Sequence, residues 1–466
     1  MNDPRQPKIG LLPLLLELYR EFNPELEAKQ APFIEKIAGS LGAVSNVVTA
    51  PVCSQRDAVR SALQEFERDD VDMVVILFIA YATSLSVLGP LLETNLPILL
   101  FSTAPKSSMA EGITTEDITL NHGVHGYMDL ANVLRRNRRQ YIFVSGPNDD
   151  EGAYREIGQW ALAAQVRKRL KSSTIGLAGY TFDGMGDFGV DTTMLNATLG
   201  PVVKHIPLNL LADAIGDVDS ATLDKENSSD RKRFEVADDV DDVILGESNR
   251  VHLGLSKVLS DLSIDAFTMH FQGILENPHI RTLPFLAISK LQEQGMAYAG
   301  EGDILGATAN LMVRLMCGDT IFTETFCPDF DGGRIVMGHM GESNPAFGVK
   351  TVLRRKNFAF GDALDPVVTD VHMPPDERAT VVNLGIVEDN EFQLIAYTGT
   401  LCGRIPGSDE IDMPYFHFTP DMPLADFLTA YGEAGGTHHI ALTRGDKIDD
   451  IIKLAELLNI DLVILG

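Results

Sequence analysis

The sequence predicts an α/β protein with two doubly wound parallel-sheet, Rossmann-like domains, residues 1–172 and 173–320, followed by a β-rich antiparallel C-terminal domain, residues 321–466. Three observations lead there. Short β-rich runs alternate with helical patterns up to about residue 320, the order that builds a mostly parallel sheet flanked by helices. A fresh strand, STIGLAGY, opens after a helix ending near Lys171 and marks a second unit. Beyond residue 321 the alternation gives way to short strands separated by turn residues.

In the first domain, KIGLLPLL, SNVVTAPV, MVVILFIA, LPILLFST and YIFVSG read as strands, with APFIEKIAGSLG and QRDAVRSALQEFERDD as helices between them. The stretch from Met73 to Leu92 carries no charge, yet its apolar core is only a strand long before Thr83, Ser84, Ser86, Gly89 and Pro90 interrupt it. That predicts a buried strand running into a loop and helix, not a membrane span. In the second domain STIGLAGY and VVKHIPL are strands, and helix–strand alternation resumes after a charge-rich stretch from Asp213 to Asp242. In the third, GGRIVMGHMG, FAFGDA and YFHFTP read as strands, and VVNLGIVEDNEFQLIAYTG as a hairpin turning near Glu388 to Asn390. A final αβ unit ends in DLVILG.

With 66 acidic against 38 basic residues the formal charge is −28, so the surface repels nucleic acid and anionic membranes. The basic run Arg135 to Arg139 is a solvated helix end on this reading. Four cysteines without CxxC spacing exclude a disulfide scaffold or a structural zinc site and suit a reducing cytoplasm. Cys317, Cys327 and Cys402 read as small buried apolar residues. The opening MNDPRQPKIG has acid and proline where a signal peptide needs a basic start and an apolar core.

Gly184, Gly186 and Gly189 form GxGxxG after a strand, the pattern of a dinucleotide site. The next strand ends without the acid that binds a ribose, and Asp183 and Asp187 would set negative charge beside a pyrophosphate. A glycine-rich βα turn is the better reading, with a nicotinamide-dependent oxidoreductase as the alternative function.

Four possible metal ligands stand in glycine-rich or turn-like settings: Glu301 in AYAGEGD, Glu324 in TIFTETF, His339 in IVMGHMGE and His439 in AGGTHHIAL. Two carboxylates and two imidazoles suit a divalent ion such as Mn²⁺, with room for water or a chelating substrate. Taken singly, such residues are more often solvated loop groups or hydrogen-bonded core groups. Only a tertiary fold could bring them together.

These segments, with AFTMHFQGILENPHIRTLPFLAISKLQEQG and LNHGVHG upstream, resemble in order and approximate spacing those of the L-arabinose isomerase family. The resemblance is most specific from about residue 265 to 342 and faint before 115. It implies metal ligation by Glu301, Glu324, His339 and His439, with Mn²⁺, or else Co²⁺ or Mg²⁺, as the ion. It implies a sugar pocket lined by Asp303, Phe322, Glu342 and His438. His125 and Tyr19 match positions that reach a neighbouring subunit's site, so a homo-oligomer, trimer or hexamer, with shared active sites is expected. The N-terminal match is imperfect, because Leu16 stands where the family has a glutamine.

The expected function is therefore a metal-dependent aldose–ketose isomerase. It moves a proton between C1 and C2 through an enediolate, with Glu301 and Glu324 as acid and base. The lining departs from the family pattern at Glu324-Thr325-Phe326-Cys327, Ile304-Leu305 and His339-Met340-Gly341-Glu342, which leaves the sugar open among a pentose, hexose or deoxysugar. A non-catalytic sugar-binding relative is the third reading.

Overall fold

The computed structural model describes residues 6–110, 112–358, 363–403 and 411–466. The chain forms two compact units that meet in sequence between Lys168 and Arg169.

The first unit holds a parallel sheet of β1 (Lys8–Leu14), β2 (Asn46–Thr49), β3 (Met73–Phe78), β4 (Ile98–Ser102) and β5 (Ile142–Ser145), in the order β2-β1-β3-β4-β5. Every residue of β3 is buried, because a strand covered by helices on both faces has no solvent side. That accounts for the uncharged run. No helix among the described residues is long and apolar enough to cross a membrane. The helix Arg56–Arg68 buries Val59, Ala62, Leu63 and Phe66. Phe66 lies so close to β1 that a Cβ on Gly10 would come within 2.6 Å of its ring, so glycine is required there. In the basic run, the helix ends at Arg136, and Arg139 donates to the carbonyls of Leu91, Thr94 and Leu96. Arg139 clamps a loop.

The second unit opens with another parallel sheet: β6 (Thr174–Ala178), β7 (Val202–Ile206), β9 (Ala266–Met269) and β10 (Ala297–Gly300), in the order β10-β9-β6-β7. The short β8 (Glu235–Val236) pairs instead with β13 (Lys350–Arg355), which pairs with β14 (Val367–His372). Both parallel sheets reverse their strand order beside the first strand of the set, the place where the carboxyl ends of α/β strands leave a crevice.

The remaining strands are β11 (Ile321–Asp329), β12 (Arg334–Gly338), β15 (Glu377–Ile386), β16 (Phe392–Cys402), β17 (Tyr415–Pro420), β18 (His439–Arg444) and β19 (Asp461–Leu465). They follow the order β15-β18-β11-β12-β17-β16-β19, and β15 also pairs with β16 along ten residues. That last ladder closes six antiparallel strands into a ring, with β19 added in parallel to β16. Ile321, Met337, Val381, Tyr397, Phe418 and Leu442 pack in one buried cluster of this sheet. The β15–β16 turn falls at Glu388–Asn390, as the hairpin signal predicts. Most of FAFGDA lies outside the described residues.

One cysteine expectation needs correction. Cys53 is buried, Cys317 and Cys402 are half-buried, and Cys327 is exposed, because it sits on the part of β11 that runs past the core into solvent.

The helix Phe285–Glu293 links this ring to the rest of the unit. Its Lys290, 2% exposed, places its ammonium among Asp230, Glu226 and Asn249, which satisfy a charge that burial would otherwise penalise. Two residues on, Gln292 accepts from the Phe322 N–H of β11, and its carbonyl accepts from Asn344.

Candidate functional site

Glu301 follows the last residue of β10 and has φ +61°, and Gly302 has φ +79°. A left-handed conformation costs a non-glycine residue about 1–2 kcal/mol, and such strain gathers at functional sites. The loop after β6 holds the turn in place. Phe182 donates its N–H to the Glu301 carbonyl at 2.9 Å, and the Thr181 hydroxyl donates to the Gly302 carbonyl at 3.1 Å. A Cβ on Gly302 would meet the Tyr180 carbonyl at 2.4 Å, so only glycine fits. Asp303 then caps the helix Ile304–Cys317, one oxygen accepting from the Gly306 N–H at 2.9 Å. Its other oxygen accepts from His439 Nδ1 at 3.0 Å.

Register places the other groups. Glu324 of β11 is opposite His439 of β18 on one side and Gly338 of β12 on the other, and His339 follows Gly338. Period-two alternation turns Phe322 and Glu324 to the same face. His439 Nε2 lies 2.8 Å from Glu324 Oε1 and 4.0 Å from Glu301 Oε2. His339 Nε2 lies 3.8 Å from the same Glu324 oxygen, and His339 Nδ1 donates at 2.8 Å to Glu342, which is 1% exposed. The Phe322 ring meets both imidazoles edge-on, with centroids 4.9 Å from His339 and 4.8 Å from His439.

Of the four ligands predicted from sequence, Glu301, Glu324 and His439 come together with His438, while His339 reaches this group through Glu324, 3.8 Å from its Nε2. Glu301, Glu324, His438 and His439 offer ligand atoms within 4.8 Å of one another. Asp303 and Glu342 stand behind the imidazoles, each fixing one Nδ1. Tyr19 and His125 belong to the first unit, where the Tyr19 hydroxyl is 3.4 Å from His122 Nδ1 and His122 packs on His125 at 4.4 Å. Sequence reasoning did not assign Asp187 and Phe188. Asp187 accepts from His438 Nδ1 at 2.8 Å, and the Phe188 ring stacks on His438 and His439. The signal was present as an acid inside the glycine-rich turn.

The electrostatics ask for a cation. Four carboxylates, Glu301, Glu324, Asp303 and Glu342, surround two buried imidazoles. Burial opposes charge on His439, but its hydrogen bonds to Asp303 and Glu324 outweigh that and lift it to about 10. Burial likewise opposes charge on His339, and Glu342 and Glu324 raise it. The two glutamates move apart. Burial raises Glu301, whereas for Glu324 the three nearby histidines overcome burial and lower it. His339 Nε2 is buried with no hydrogen-bond partner, a costly arrangement unless something fills it. An imidazole held by carboxylate at Nδ1 with Nε2 aimed at a shared point is the usual setting of a metal-binding histidine. The donor set, two carboxylates and two imidazoles, fits a divalent ion.

Comparison with known proteins gives a consistent picture. A family model of the L-arabinose isomerase central domain matches residues 190–319, and one of the L-arabinose isomerase C-terminal domain matches residues 319–461. An L-arabinose isomerase of Enterobacter sp. (strain 638) is 25% identical, over 95% of this chain and 92% of the relative. One from Klebsiella pneumoniae (strain 342) shows the same values, and one from Yersinia pestis bv. Antiqua is 24% identical over 93% of this chain and 88% of its own. Among solved structures, an ABC sugar transporter subunit from Rhodobacter sphaeroides 2.4.1 aligns at a TM-score of 0.17 with 9% identity, covering 64% of this chain and 78% of the other. That likeness carries no argument.

Proposed function

Because this chain belongs to the L-arabinose isomerase family, we propose that its histidine–carboxylate cluster is the active site of a metal-dependent sugar isomerase. The chain is an aldose–ketose isomerase, an intramolecular oxidoreductase acting on a small sugar. Glu301, Glu324, His339 and His439 would hold the ion, Mn²⁺ in our reading with Co²⁺ or Mg²⁺ as substitutes. The single observation that carries this is the unpartnered, buried Nε2 of His339 aimed into an acidic cluster. When bound, the ion supplies positive charge that favours the enediolate over the neutral sugar.

The chain's own groups do the rest. Glu301 and Glu324 bring carboxylate oxygens within 4.8 Å of one another with their pKa values pushed in opposite directions, the condition for an acid and a base to share a proton transfer between C1 and C2. Asp303 and Glu342 hold the two ligand rings from behind, and Phe322 gives an apolar wall that excludes water. We assign His438 to a sugar hydroxyl. Tyr19 and His125 would serve the site of a neighbouring copy in a trimer or hexamer, and the acidic chain would work in the cytoplasm. We divide the second unit into domains at 173–320 and 321–466, with 1–172 preceding. The oxidoreductase alternative finds little support, since the glycine turn is followed only by the seven-residue helix Thr192–Thr198.

The test is a screen of unprotected aldoses and ketoses with purified protein and Mn²⁺. Turnover should vanish in EDTA, return with Mn²⁺, and be absent in a folded Glu301→Gln variant. Undiminished turnover after chelation would end the metal reading.

A further inference from the structure

The glycine-rich loop after β6 has no part in the chemistry above, yet it reaches the cluster. Its Gly186–Phe188 segment forms a single 3₁₀ turn, and Phe188, 1% exposed, stacks on His439 at 4.6 Å and on His438 at 5.2 Å. Asp187, beside it, accepts from His438 Nδ1 at 2.8 Å across 251 residues of sequence. The other nitrogen, Nε2, lies 3.8 Å from Glu324 Oε1. The side chains of His438 and Asp187 are 35% and 33% exposed, whereas that of His439 is sealed at 0%. His438 therefore stands at the open side of the cluster, where an incoming sugar can touch it.

A neutral imidazole carries one N–H. When the Nδ1–H is donated to a carboxylate, Nε2 is left with a lone pair only. We propose that Asp187 is a positioning residue for the isomerase: it fixes His438 in the Nδ1–H tautomer, so that Nε2 presents an acceptor to a substrate hydroxyl beside Glu324. The proposal rests on the isomerase reading and deepens it, because the acceptor selects polyols that place a hydroxyl at that point. Without Asp187 the ring is free to adopt either tautomer and to turn about its side-chain bonds, while Glu301, Glu324, His339 and His439 keep their own contacts. The loss then falls on substrate binding, and a uniform loss of binding raises KM at constant kcat.

Asp187→Ala and Asp187→Asn test this in the Mn²⁺-loaded protein with its best sugar, alongside ¹⁵N–¹H spectra of the imidazoles in the metal-free protein. The wild type should show His438 as the Nδ1–H tautomer, and Asp187→Ala a mixture. Asp187→Ala should raise KM about tenfold with kcat within about twofold, the size of one lost hydrogen bond of about 1.4 kcal/mol. Asp187→Asn keeps an accepting oxygen and should stay within about threefold of wild type. Mn²⁺ affinity should be unchanged in both. An Nε2–H tautomer in the wild type, an unchanged KM in Asp187→Ala, or a loss of Mn²⁺ affinity alongside the KM effect would overturn the proposal, the last by making His438 a ligand. Absence of turnover in the wild type counts against the isomerase reading alone, and the tautomer spectra judge the pairing regardless.

Discussion

Glu324 and His439 are direct cross-strand partners on β11 and β18, and their side chains meet at 2.8 Å on the same face of the sheet. Because Glu324 also pairs with Gly338, one rung of the ladder sets the spacing of Glu324, His439 and, one residue on, His339. Glu324→Gln keeps the shape and removes the charge. It should weaken Mn²⁺ binding at least about tenfold and cut turnover by about 10²-fold or more, with a cooperative thermal transition retained. Metal titration and initial rates check this, and wild-type rates in the variant would remove Glu324 from the chemistry.

The residues behind the imidazoles should matter nearly as much as the ligands. Asp303→Asn and Glu342→Gln are expected to lower metal affinity about 10- to 100-fold. Asp303 also caps a helix, and asparagine caps as well as aspartate does, whereas Asp303→Ala should cost about 1 kcal/mol more in stability. Equilibrium unfolding of the two Asp303 variants separates the roles. Equal metal affinity in Asp303→Asn and wild type would show that the contact to His439 is incidental.

Protons and metal should compete. His439 is raised to about 10 in the metal-free fold, above an unfolded value of about 6.5. Its contribution to stability is thus complete below about pH 6.5 and lost as pH climbs through about 10. The metal-free protein should lose thermal stability over that range, and His439→Gln should remove much of the loss. Metal loading should follow the opposite trend, since His439 as a ligand would have to give up a proton. Calorimetry near pH 8 in two buffers of different ionisation heat should record at least one proton released per Mn²⁺. Zero release would mean that the ring is already neutral.

Glu301 is held in a conformation that glycine tolerates better. Glu301→Gly should relieve about 1–2 kcal/mol of backbone strain against about 0.5–1 kcal/mol of added unfolded-state entropy. It also removes a carboxyl that burial pushes up. The variant should therefore be more stable than the metal-free wild type by up to about 1 kcal/mol in denaturant titration. A clear loss of stability would show that the Glu301 side chain supports the fold.

Much of this was legible in the chain. Apolar runs such as MVVILF and the hairpin around Glu388–Asn390 announce themselves through local pattern alone. Glu301, Glu324, His339 and His439 were legible as a set only because their short contexts match a known family. The ladder between β15 and β16 could be read from its turn, but its role in closing a ring could not, since closure depends on β17 and β18 meeting partners remote in sequence. The partner of Asp187 was not legible for a similar reason. An acid in a glycine turn tells against phosphate, but nothing local says that it will meet His438. The exposure of Cys327 depends on how far β11 runs past its pairing with β18, which ends at Glu324, and composition is silent on that.

The ring of six strands has a consequence for how the protein breathes. A flat sheet can peel from its outermost strand, but each of these six has a paired neighbour on both sides, so the ring offers no outermost strand to peel. The amide of Glu324, a residue paired with His439 on one side and Gly338 on the other, should be among the last in the protein to exchange with deuterated solvent. A site built on that rung should keep its spacing through such fluctuations.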